Sequence, residues 1–474
     1  MSKVNKTQQF DCDVLVIGAG PGGYVAAIRA AQLGLKTVCV DAQPGLGGTC
    51  LNVGCIPSKS LLYATEQWAQ LKSLAKHDTG VYAAEISFDL NKMMATKSRT
   101  IADLNKGIES LFRKNKVNFI TGMARFFEPG CVEVNQNRIK AKNIIIATGS
   151  QPIHLPAVKI DNKRIVDSTG ALSFEEIPER LVIVGAGAIG LEIGSVWNRL
   201  GSDVIVIELA DSILADMDSE ISSGAISAFE KQGMKFLLGH KLCGLKDNKR
   251  ANSDEMEIEI ESKETGEVSV LSASHLLLAV GRKPNTKNLN LAAIGIELDS
   301  QGRIPVNDKG QTIASGVYAI GDVTPGPMLA HRAEDEGVAV VENIAGNVGL
   351  VNHEVIPNIV YTNPEIASVG LTQVKAEAVT EIKIGVFPFV ANSRAKVSQH
   401  CDGFVKIIAD AKDETVLGVH IIGEHAGTMI AQAAQAMEFG ATADDIAYTC
   451  HAHPTESEAL KEAAMSVFGK AIHY

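Results

Sequence analysis

Two stretches of the chain share one pattern of apolar and glycine residues. Residues 12–23 read CDVLVIGAGPGG and residues 181–190 read LVIVGAGAIG. Each predicts a buried strand that runs into a glycine-rich turn and then a helix. A second apolar strand follows each turn, at residues 37–40 and 204–207, and ends in an acid. The repeat predicts two βαβ nucleotide-binding units in one chain.

Apolar runs that end at glycine mark where these units should end. Residues 143–149 (NIIIATG), 276–280 and 316–322 (GVYAIGD) each predict a buried strand. From about residue 349 the pattern changes to β-like runs at 356–362, 384–389, 404–408 and 416–422, followed by an alanine-rich helix at 428–439. Residues 247–267 are polar and predict a solvated hairpin or loop.

The predicted fold class is therefore α/β, with two Rossmann-like dinucleotide-binding domains and a C-terminal α+β domain. We expect the first dinucleotide-binding domain at residues 1–151 and the second at 152–280. Residues 281–349 should form a central segment that completes the first domain, and 350–474 the C-terminal domain. A length of 474 residues suits this number of domains.

Composition and charge argue against several classes of function. The net charge of −11 argues against general nucleic-acid binding, which needs clustered Lys and Arg. The first 13 residues lack the apolar core of a signal peptide, and no run approaches the 18 apolar residues of a membrane span. We expect a cytoplasmic protein, or a mitochondrial-matrix one if the chain is a processed organellar protein.

The acids that close the two repeats indicate which nucleotides bind. The first turn carries Gly18, Gly20 and Gly23, and Asp41 follows 23 residues after Gly18. The same interval separates the second turn from Glu208, and that turn carries Gly185, Gly187 and Gly190. Such acids accept hydrogen bonds from a ribose. A carboxylate at position 208, with no Arg in the next four residues, favours NAD over NADP.

One pair of the eight cysteines lies in a special context. Residues 47–59 read GGTCLNVGCIPSK, which places Cys50 and Cys55 five positions apart. In a regular helix their Cα atoms would be about 8–9 Å apart, beyond the disulfide limit of about 7 Å. They can bridge only if the helix is distorted, which Gly54 makes easier. The alternative is two unpaired core cysteines. We take the other six as small buried hydrophobes, and expect no metal site.

These motifs resemble the pyridine-nucleotide disulfide oxidoreductases, whose domains are ordered FAD, NAD and interface. The resemblance covers nearly the whole chain and includes both glycine turns, ATG at 147–149, GVYAIGD and HAHPTESE at 451–458. Within the family it is greatest to members that oxidise a dihydrolipoyl group, through GPGGYVAAIRAAQLG at 20–34, GAIGLE at 187–192 and FVANSRAK at 389–396. One departure is Asp41, where the family more often has Glu.

The resemblance implies roles for particular residues. Cys50 and Cys55 would form the redox-active disulfide, with Cys50 exchanging with substrate and Cys55 beside the flavin. Lys59 would lie near the flavin and pair with Glu192. The remaining residues implied to bind FAD are Gly122, Thr148, Gly149, Asp322, Met328, Leu329, Ala330 and His331, besides Asp41 and the first glycine turn. Those implied to bind NAD are Glu192, Glu208 and Gly281, besides the second turn.

His453 resembles the acid/base of the family, oriented by Glu458. The chemistry supports this pair independently, because a thiolate attacks a disulfide and a dithiol substrate therefore needs a base. Histidine suits that task near neutral pH, and a carboxylate orients it. His451 is the weaker candidate, and packing explains it as well. For His331 a packing role is almost as good an explanation as flavin contact.

The implied activity is oxidation of a protein-bound dihydrolipoyl group, with FAD held non-covalently and NAD as co-substrate. The implied partners are a second copy of the chain and the lipoyl-bearing acyltransferase of a 2-oxo acid dehydrogenase complex, or a glycine-cleavage carrier. Glutathione and trypanothione reductases would need Arg after position 208. Mercuric and large thioredoxin reductases need a C-terminal redox pair, but this chain ends AIHY. A non-catalytic flavoprotein subunit is the alternative from another class.

Overall fold

A computed structural model describes residues 11–74, 80, 85–246 and 255–474. The chain divides into two compact units, each assembled from three separate segments. The first unit contains Met1–Ser60, Met94–Ile153 and Arg282–Val351. The second contains Leu61–Met93, His154–Gly281 and Asn352–Tyr474. The sequence predictions for residues 1–10, and for 247–254 of the polar segment, lie outside the described residues.

The strands form several sheets. In chain order, the strands of the described residues are β1 Cys12–Ile17, β2 Thr37–Asp41, β3 Asn118–Thr121, β4 Ala124–Glu128, β5 Cys131–Val134, β6 Asn137–Ile146, β7 Ser150–Pro152, β8 Ile165–Val166, β9 Arg180–Val184, β10 Asp203–Ile207, β11 Lys235–Leu237, β12 His240–Lys246, β13 Met256–Ser262, β14 Val268–Ala273, β15 His275–Leu278, β16 Arg282–Pro284, β17 Val317–Ala319, β18 Asn358–Val360, β19 Glu365–Gly370, β20 Ile382–Pro388, β21 Phe404–Asp410 and β22 Val416–Gly423.

Helices connect and cover these strands. In the same residues they are α1 Pro21–Gln32, α2 Gly48–Val53, α3 Cys55–Leu74, α4 Leu90–Asn115, α5 Ser168–Ala171, α6 Ala188–Leu200, α7 Ser219–Lys231, α8 Ala330–Ile344, α9 Gln373–Glu377, α10 Ser393–Ser398, α11 Ala426–Glu438, α12 Ala443–Tyr448 and α13 Glu458–Ser466. None of the helices in the described ranges is long and apolar enough to cross a membrane.

The first unit is built on a parallel sheet in which β3, β2, β1, β6 and β17 are neighbours in that order. The first half of β6 also joins β5 and β4 in an antiparallel meander. Val14, Leu15 and Val16 of β1 are fully buried, as expected for a central parallel strand. Strand order changes direction beside β1, and the carboxyl ends of β1 and β6 therefore border the crevice where such sheets bind ligands.

Close packing of α8 on α1 completes this unit. A side chain at Gly22 of α1 would collide with the backbone of Ala333, and one at Gly337 of α8 would collide with the carbonyl of Gly22. The two helices therefore approach at backbone distance, which only glycine allows. An ion pair between Arg29 and Glu342 joins the same helices near their other ends. The start of α8 is thereby fixed beside the glycine turn that opens α1.

The second unit contains a parallel sheet of order β11-β10-β9-β15-β8 and an antiparallel sheet of order β12-β13-β14. Their cores join, since Ile258 and Ile260 of β13 cluster with Val182 and Leu276. The prediction of a solvated segment is thus wrong for residues 256–262, which form a strand whose isoleucine face is buried. The hairpin part of that prediction is confirmed, because β13 and β14 pair antiparallel across the turn between them.

The C-terminal segment of the second unit is an antiparallel sheet of order β18-β19-β22-β21-β20. Its buried face packs against α11, α12 and α13 in one apolar cluster. Sequence analysis predicted four of these strands and α11 at nearly their observed positions. It missed β19, which is central in the sheet and pairs with β22 from Glu365 to Gly370.

A buried lysine joins the C-terminal sheet to α7 within the second unit. Lys406 on β21 is fully buried, and its Nζ donates to Asp218 Oδ1 at 2.9 Å and to Gln373 Oε1 at 2.8 Å. Glu220 lies 3.2 Å away. Asp218 also caps the first turn of α7. Burial works to raise the pKa of Asp218, but hydrogen bonds from the Gln373 N–H and from Lys406 lower it more.

Replacing this lysine should cost much stability. Lys406→Met leaves the Asp218 carboxylate buried without its cation, and we expect a loss of about 3–5 kcal/mol in the free energy of unfolding. Denaturant unfolding at one fixed protein concentration measures it. Lys383→Met is the matched control on the neighbouring strand, because its partly exposed pair with Glu414 should contribute at most about 1 kcal/mol. Equal losses in the two variants would contradict the expectation.

Candidate functional site

The two glycine turns have the same internal geometry. A side chain at Gly18 would collide with the carbonyl of Ala147, at the end of β6. A side chain at Gly185 would collide with the carbonyl of Ala279, just after β15. In each unit the turn after the first strand is therefore pressed against the exit of the neighbouring parallel strand. Gly23 and Gly190 pack equally closely, each against the carbonyl of its own first glycine. Each turn thus places closely packed backbone at a helix N-terminus, an arrangement that suits pyrophosphate.

The acids at the ends of β2 and β10, Asp41 and Glu208, accept matching hydrogen bonds. Asp41 Oδ2 accepts the N–H of Ala19 at 2.7 Å, and Glu208 Oε2 accepts the N–H of Ala186 at 2.7 Å. The second oxygen of each acid accepts an N–H two residues on, from Gln43 and Ala210, at 2.8 Å. Each carboxylate oxygen keeps lone pairs for further donors. The shorter arm of Asp41 therefore reproduces the arrangement at Glu208, and both fit a ribose.

The cysteine pair forms a disulfide that opens α3. Cys50 and Cys55 are bonded, with Cα atoms 4.6 Å apart. The helix breaks between them at Gly54, whose φ of −135° and ψ of −106° are not helical, so the predicted distortion is confirmed. Just upstream, the N–H of Gly47 donates to the carbonyl of Ala19 at 2.8 Å. Helix α2, which carries Cys50, thus begins against the first glycine turn.

Two more loops reach the same edge of the first sheet. Thr148 and Gly149 follow β6, and both bond Asn285. Thr148 Oγ1 donates to the carbonyl of Asn285 at 2.7 Å, and the N–H of Asn285 donates to the carbonyl of Gly149 at 2.9 Å. Asp322 follows β17, and its Oδ2 accepts the Ser150 hydroxyl at 2.5 Å. The same hydroxyl accepts Arg282 Nε at 2.7 Å. Because arginine cannot accept, the single hydroxyl proton points to Asp322, whose other oxygen stays available.

The remaining residues predicted to hold the flavin lie in three places of the first unit. Gly122 directly follows β3, and its N–H donates to the carbonyl of Asp41 at 2.7 Å. Met328, Leu329, Ala330 and His331 lead into the first turn of α8. Lys59 lies one turn after Cys55 on α3. The first glycine turn, Asp41, the disulfide, Lys59 and Asp322 are therefore in one unit.

Beside the second glycine turn is a cavity of about 250 Å³. Its lining residues are Ala186, Gly187, Ala188, Glu208, Leu214, Ala215, Asp216, Met217 and Asn358. None of these lining residues is Lys or Arg, and two are acids, so the cavity disfavours a 2′-phosphate. Sequence analysis missed Asp216. Gly281, after β15, adopts a φ of 104°.

Glu192 is a buried carboxylate on α6. Its Oε1 accepts the N–H of Tyr361 at 3.0 Å. It belongs to the second unit and Lys59 to the first, so the expected Lys59–Glu192 pair stays a prediction. The contact of His453 with the disulfide of a second copy of the chain also stays a prediction.

His453 and Glu458 form the predicted pair. His453 Nδ1 lies 2.9 Å from Glu458 Oε1, and Glu458 Oε2 accepts the N–H of Thr455 at 2.9 Å. Burial works to raise the pKa of Glu458, but these hydrogen bonds lower it more, so the pKa lies below its usual value. An ionised Glu458 makes Nδ1 the donor and leaves Nε2 free to take a proton. The histidine side chain is 70% exposed and can reach another molecule.

A second imidazole–carboxylate pair lies one turn further along α13. His473 Nδ1 lies 2.7 Å from Glu462 Oε1, and Glu462 Oε2 accepts the N–H of Ile472 at 2.8 Å. The C-terminal residues are thereby attached to the helix that begins with Glu458. His451, in contrast, bonds only the carbonyl of Thr449 among the contacts described for its ring.

The other six cysteines are not all buried, which corrects the prediction. Cys12, Cys39 and Cys131 are buried, Cys243 and Cys401 are half-buried, and Cys450 is exposed in the loop that precedes His451. Burial is the main cause that raises the pKa of Cys12 to about 12 and that of Cys39 further. These two thiols are therefore inert as nucleophiles.

Comparison with known proteins decides the family. The model of the pyridine nucleotide-disulphide oxidoreductases matches residues 12–337, and the model of their dimerisation domain matches residues 356–464. The chain belongs to the pyridine nucleotide-disulphide oxidoreductase family. The first match spans both glycine turns and the disulfide, and the second contains His453 and Glu458. The α/β fold class predicted from the sequence is confirmed.

Curated relatives cover nearly the whole chain. A mitochondrial dihydrolipoyl dehydrogenase of Pisum sativum is 51% identical, covering 97% of this chain and 92% of the relative. Dihydrolipoyl dehydrogenase 3 of Pseudomonas putida is 49% identical, covering 97% and 99%. A leghemoglobin reductase of Glycine max is 50% identical, covering 97% and 88%. Among solved structures, the HOCl-induced flavoprotein disulfide reductase RclA of Escherichia coli superposes with a TM-score of 0.83 at 25% identity, covering 95% and 99%.

Proposed function

We propose that this oxidoreductase is an NAD-dependent dihydrolipoyl dehydrogenase. The observation that carries the proposal is the disulfide Cys50–Cys55, which opens α3 directly beside the first nucleotide turn. The names of the relatives from a plant and a bacterium agree with it. The net reaction converts dihydrolipoyl and NAD⁺ to lipoyl, NADH and a proton. The domain boundaries stated above belong to this proposal.

The chain's own residues would handle the thiols and protons. His453 Nε2 takes a proton from the substrate dithiol, and Glu458 stabilises the imidazolium that results. The substrate thiolate attacks Cys50, and Cys55 leaves as a thiolate. The second substrate thiol then attacks the mixed disulfide, which closes the lipoyl ring, and its proton passes to the Cys50 sulfur that is released. FAD, when bound, would pass the electron pair on to NAD.

The residues fit both nucleotides. For FAD, we propose that the first glycine turn takes the pyrophosphate, Asp41 the ribose, and Asp322 a ribityl hydroxyl. Gly122, Thr148, Gly149, Lys59 and residues 328–331 complete that site. For NAD, we propose the second glycine turn, Glu192, Glu208 and Gly281. The partners that we propose are a second copy of the chain and a lipoyl-bearing acyltransferase or glycine-cleavage carrier.

An NAD-reduction assay on purified protein tests the proposal. Dihydrolipoamide should support rapid reduction of NAD, and glutathione should not. The protein should release one FAD per chain on denaturation. Bound FAD without dithiol-dependent turnover would instead identify a non-catalytic flavoprotein subunit, and equal rates with both thiols would exclude the lipoyl assignment.

We also expect a preference for NAD over NADP. Glu208 and Asp216 would face the 2′-phosphate, and like-charge repulsion of about 3 kcal/mol corresponds to roughly 100-fold in kcat/KM. The measurement is kcat/KM for the two cofactors. Glu208→Gln should lower the ratio of kcat/KM for NAD to that for NADP, whereas Glu230→Gln, at an exposed acid outside the cavity lining, should leave that ratio unchanged. Equal use of NADP by the unmodified protein would refute the argument.

A further inference from the structure

The loop that carries Asp322 is held from within by one arginine. Arg332 lies in the first turn of α8 and is only 2% exposed. Its guanidinium donates to the carbonyls of Pro325 at 2.6 Å and Pro327 at 2.8 Å. It also donates to the hydroxyl of Thr324 at 2.9 Å. One side chain thus bonds three residues of this loop, Thr324, Pro325 and Pro327.

Glu336, one turn further along α8, joins Arg332 to the backbone of Gly321. Its Oε1 accepts Arg332 Nε at 2.8 Å, and its Oε2 accepts the N–H of Gly321 at 2.6 Å. The hydroxyl of Thr324 donates to the carbonyl of Gly321 at 2.8 Å. Both backbone groups of the residue before Asp322 are therefore fixed, and both connections lead back to Arg332.

The loop packs closely against the guanidinium of Arg332. Gly326 adopts a φ of 120°, and a side chain there would collide with the Arg332 guanidinium. The outer surface of the loop, residues 325–327, is exposed. Water would compete for the loop carbonyls if the arginine were absent, and the loop would gain conformational freedom. The buried arginine therefore pre-organises the backbone around Asp322.

We propose that Arg332 and Glu336 are positioning residues for the flavin. They hold residues 321–329 so that the carboxylate of Asp322 is already directed at the ribityl chain when FAD binds. The proposal rests on the assignment of Asp322 to FAD under the proposed function. Binding then carries no cost for ordering the loop, and the affinity for FAD is higher as a result.

Titration of apoprotein with FAD tests this, with quenching of flavin fluorescence as the readout. Arg332→Met should raise the Kd for FAD at least tenfold, equivalent to about 1.4 kcal/mol. Arg332→Lys, which keeps a cation for Glu336 but loses the fork of donors, should recover part of the affinity. Arg125→Met is the matched control, because it removes an arginine–carboxylate pair of the same unit that lies on β4 and β5. Its Kd should equal that of the unmodified protein.

A double-mutant cycle separates positioning from general stability. If Arg332 acts through Asp322, Arg332→Met should change the Kd less than twofold in an Asp322→Asn background. An unchanged tenfold effect in that background, or no effect in the unmodified one, would overturn the proposal. Thr324→Val, which removes only the connecting hydroxyl, carries the same cycle should Arg332→Met fail to fold. Failure of the unmodified apoprotein to bind FAD would instead refute the proposed function.

Discussion

Replacing Cys50 or Cys55 with serine is expected to lower dihydrolipoamide-dependent NAD reduction by roughly 10³-fold or more, because the two sulfurs act as one unit. Serine cannot form the mixed disulfide or accept the electron pair. Steady-state kcat measures the loss. Cys450→Ser is the matched control, since that thiol is free and exposed. It should keep nearly full activity. Comparable losses of kcat in all three variants would show that the loss does not come from removing the disulfide.

Spectra of the same two variants assign the two sulfurs. With Cys55 placed against the flavin, two-electron reduction should give a long-wavelength thiolate-to-flavin absorption band. Cys50→Ser should retain that band because the Cys55 thiolate remains, and Cys55→Ser should lose it. The opposite outcome would exchange the two roles.

His453→Gln should reduce activity by about 10²–10⁴-fold, the range for a lost general base. His451→Gln, two positions away, should lose little. We further expect His453 to serve the disulfide of the second chain, as the family resemblance implies. A homodimer with a two-fold axis makes or loses both such sites together.

Mixed dimers test that sharing. Cys50→Ser and His453→Gln chains with different tags are co-expressed, and the dimer that carries one of each is isolated. If His453 acts across the dimer, one site receives both changes and the other none. About half the unmodified activity should then return. If His453 serves its own chain, each site keeps one change, and a mixed dimer no better than its parents would rule out sharing.

Most of the fold could be predicted from local patterns. β1 and β9 are continuous apolar runs that end at glycine, and such runs are strong signals for central parallel strands. β19 was missed because its six residues, EIASVG, carry little apolar periodicity. The two isoleucines of β13 alternate with acids, and the surrounding charge concealed them. Burial there comes from tertiary packing, which a local pattern does not record.

The candidate site likewise contains residues that the sequence predicts and residues that it does not. Motif residues such as Gly18, Asp41 and Cys50 could be found because backbone turns and redox pairs need fixed spacing. Ser150 and Asp322 are 172 residues apart, and nothing in either neighbourhood indicates their hydrogen bond. Arg332 was missed for a related reason. Two of its four hydrogen-bond partners are backbone oxygens, which every sequence supplies and no motif marks.

The attachment of the last residues to Glu462 has a practical consequence for protein engineering. Affinity tags and surface anchors are often fused to the carboxyl end of an enzyme. Here such a fusion would pull on His473 and through it on Glu462, which lies one helical turn from Glu458. An immobilised enzyme built that way would carry its mechanical load close to His453 and Glu458. Fusions for electrodes, columns or mixed-dimer work therefore belong at the opposite terminus.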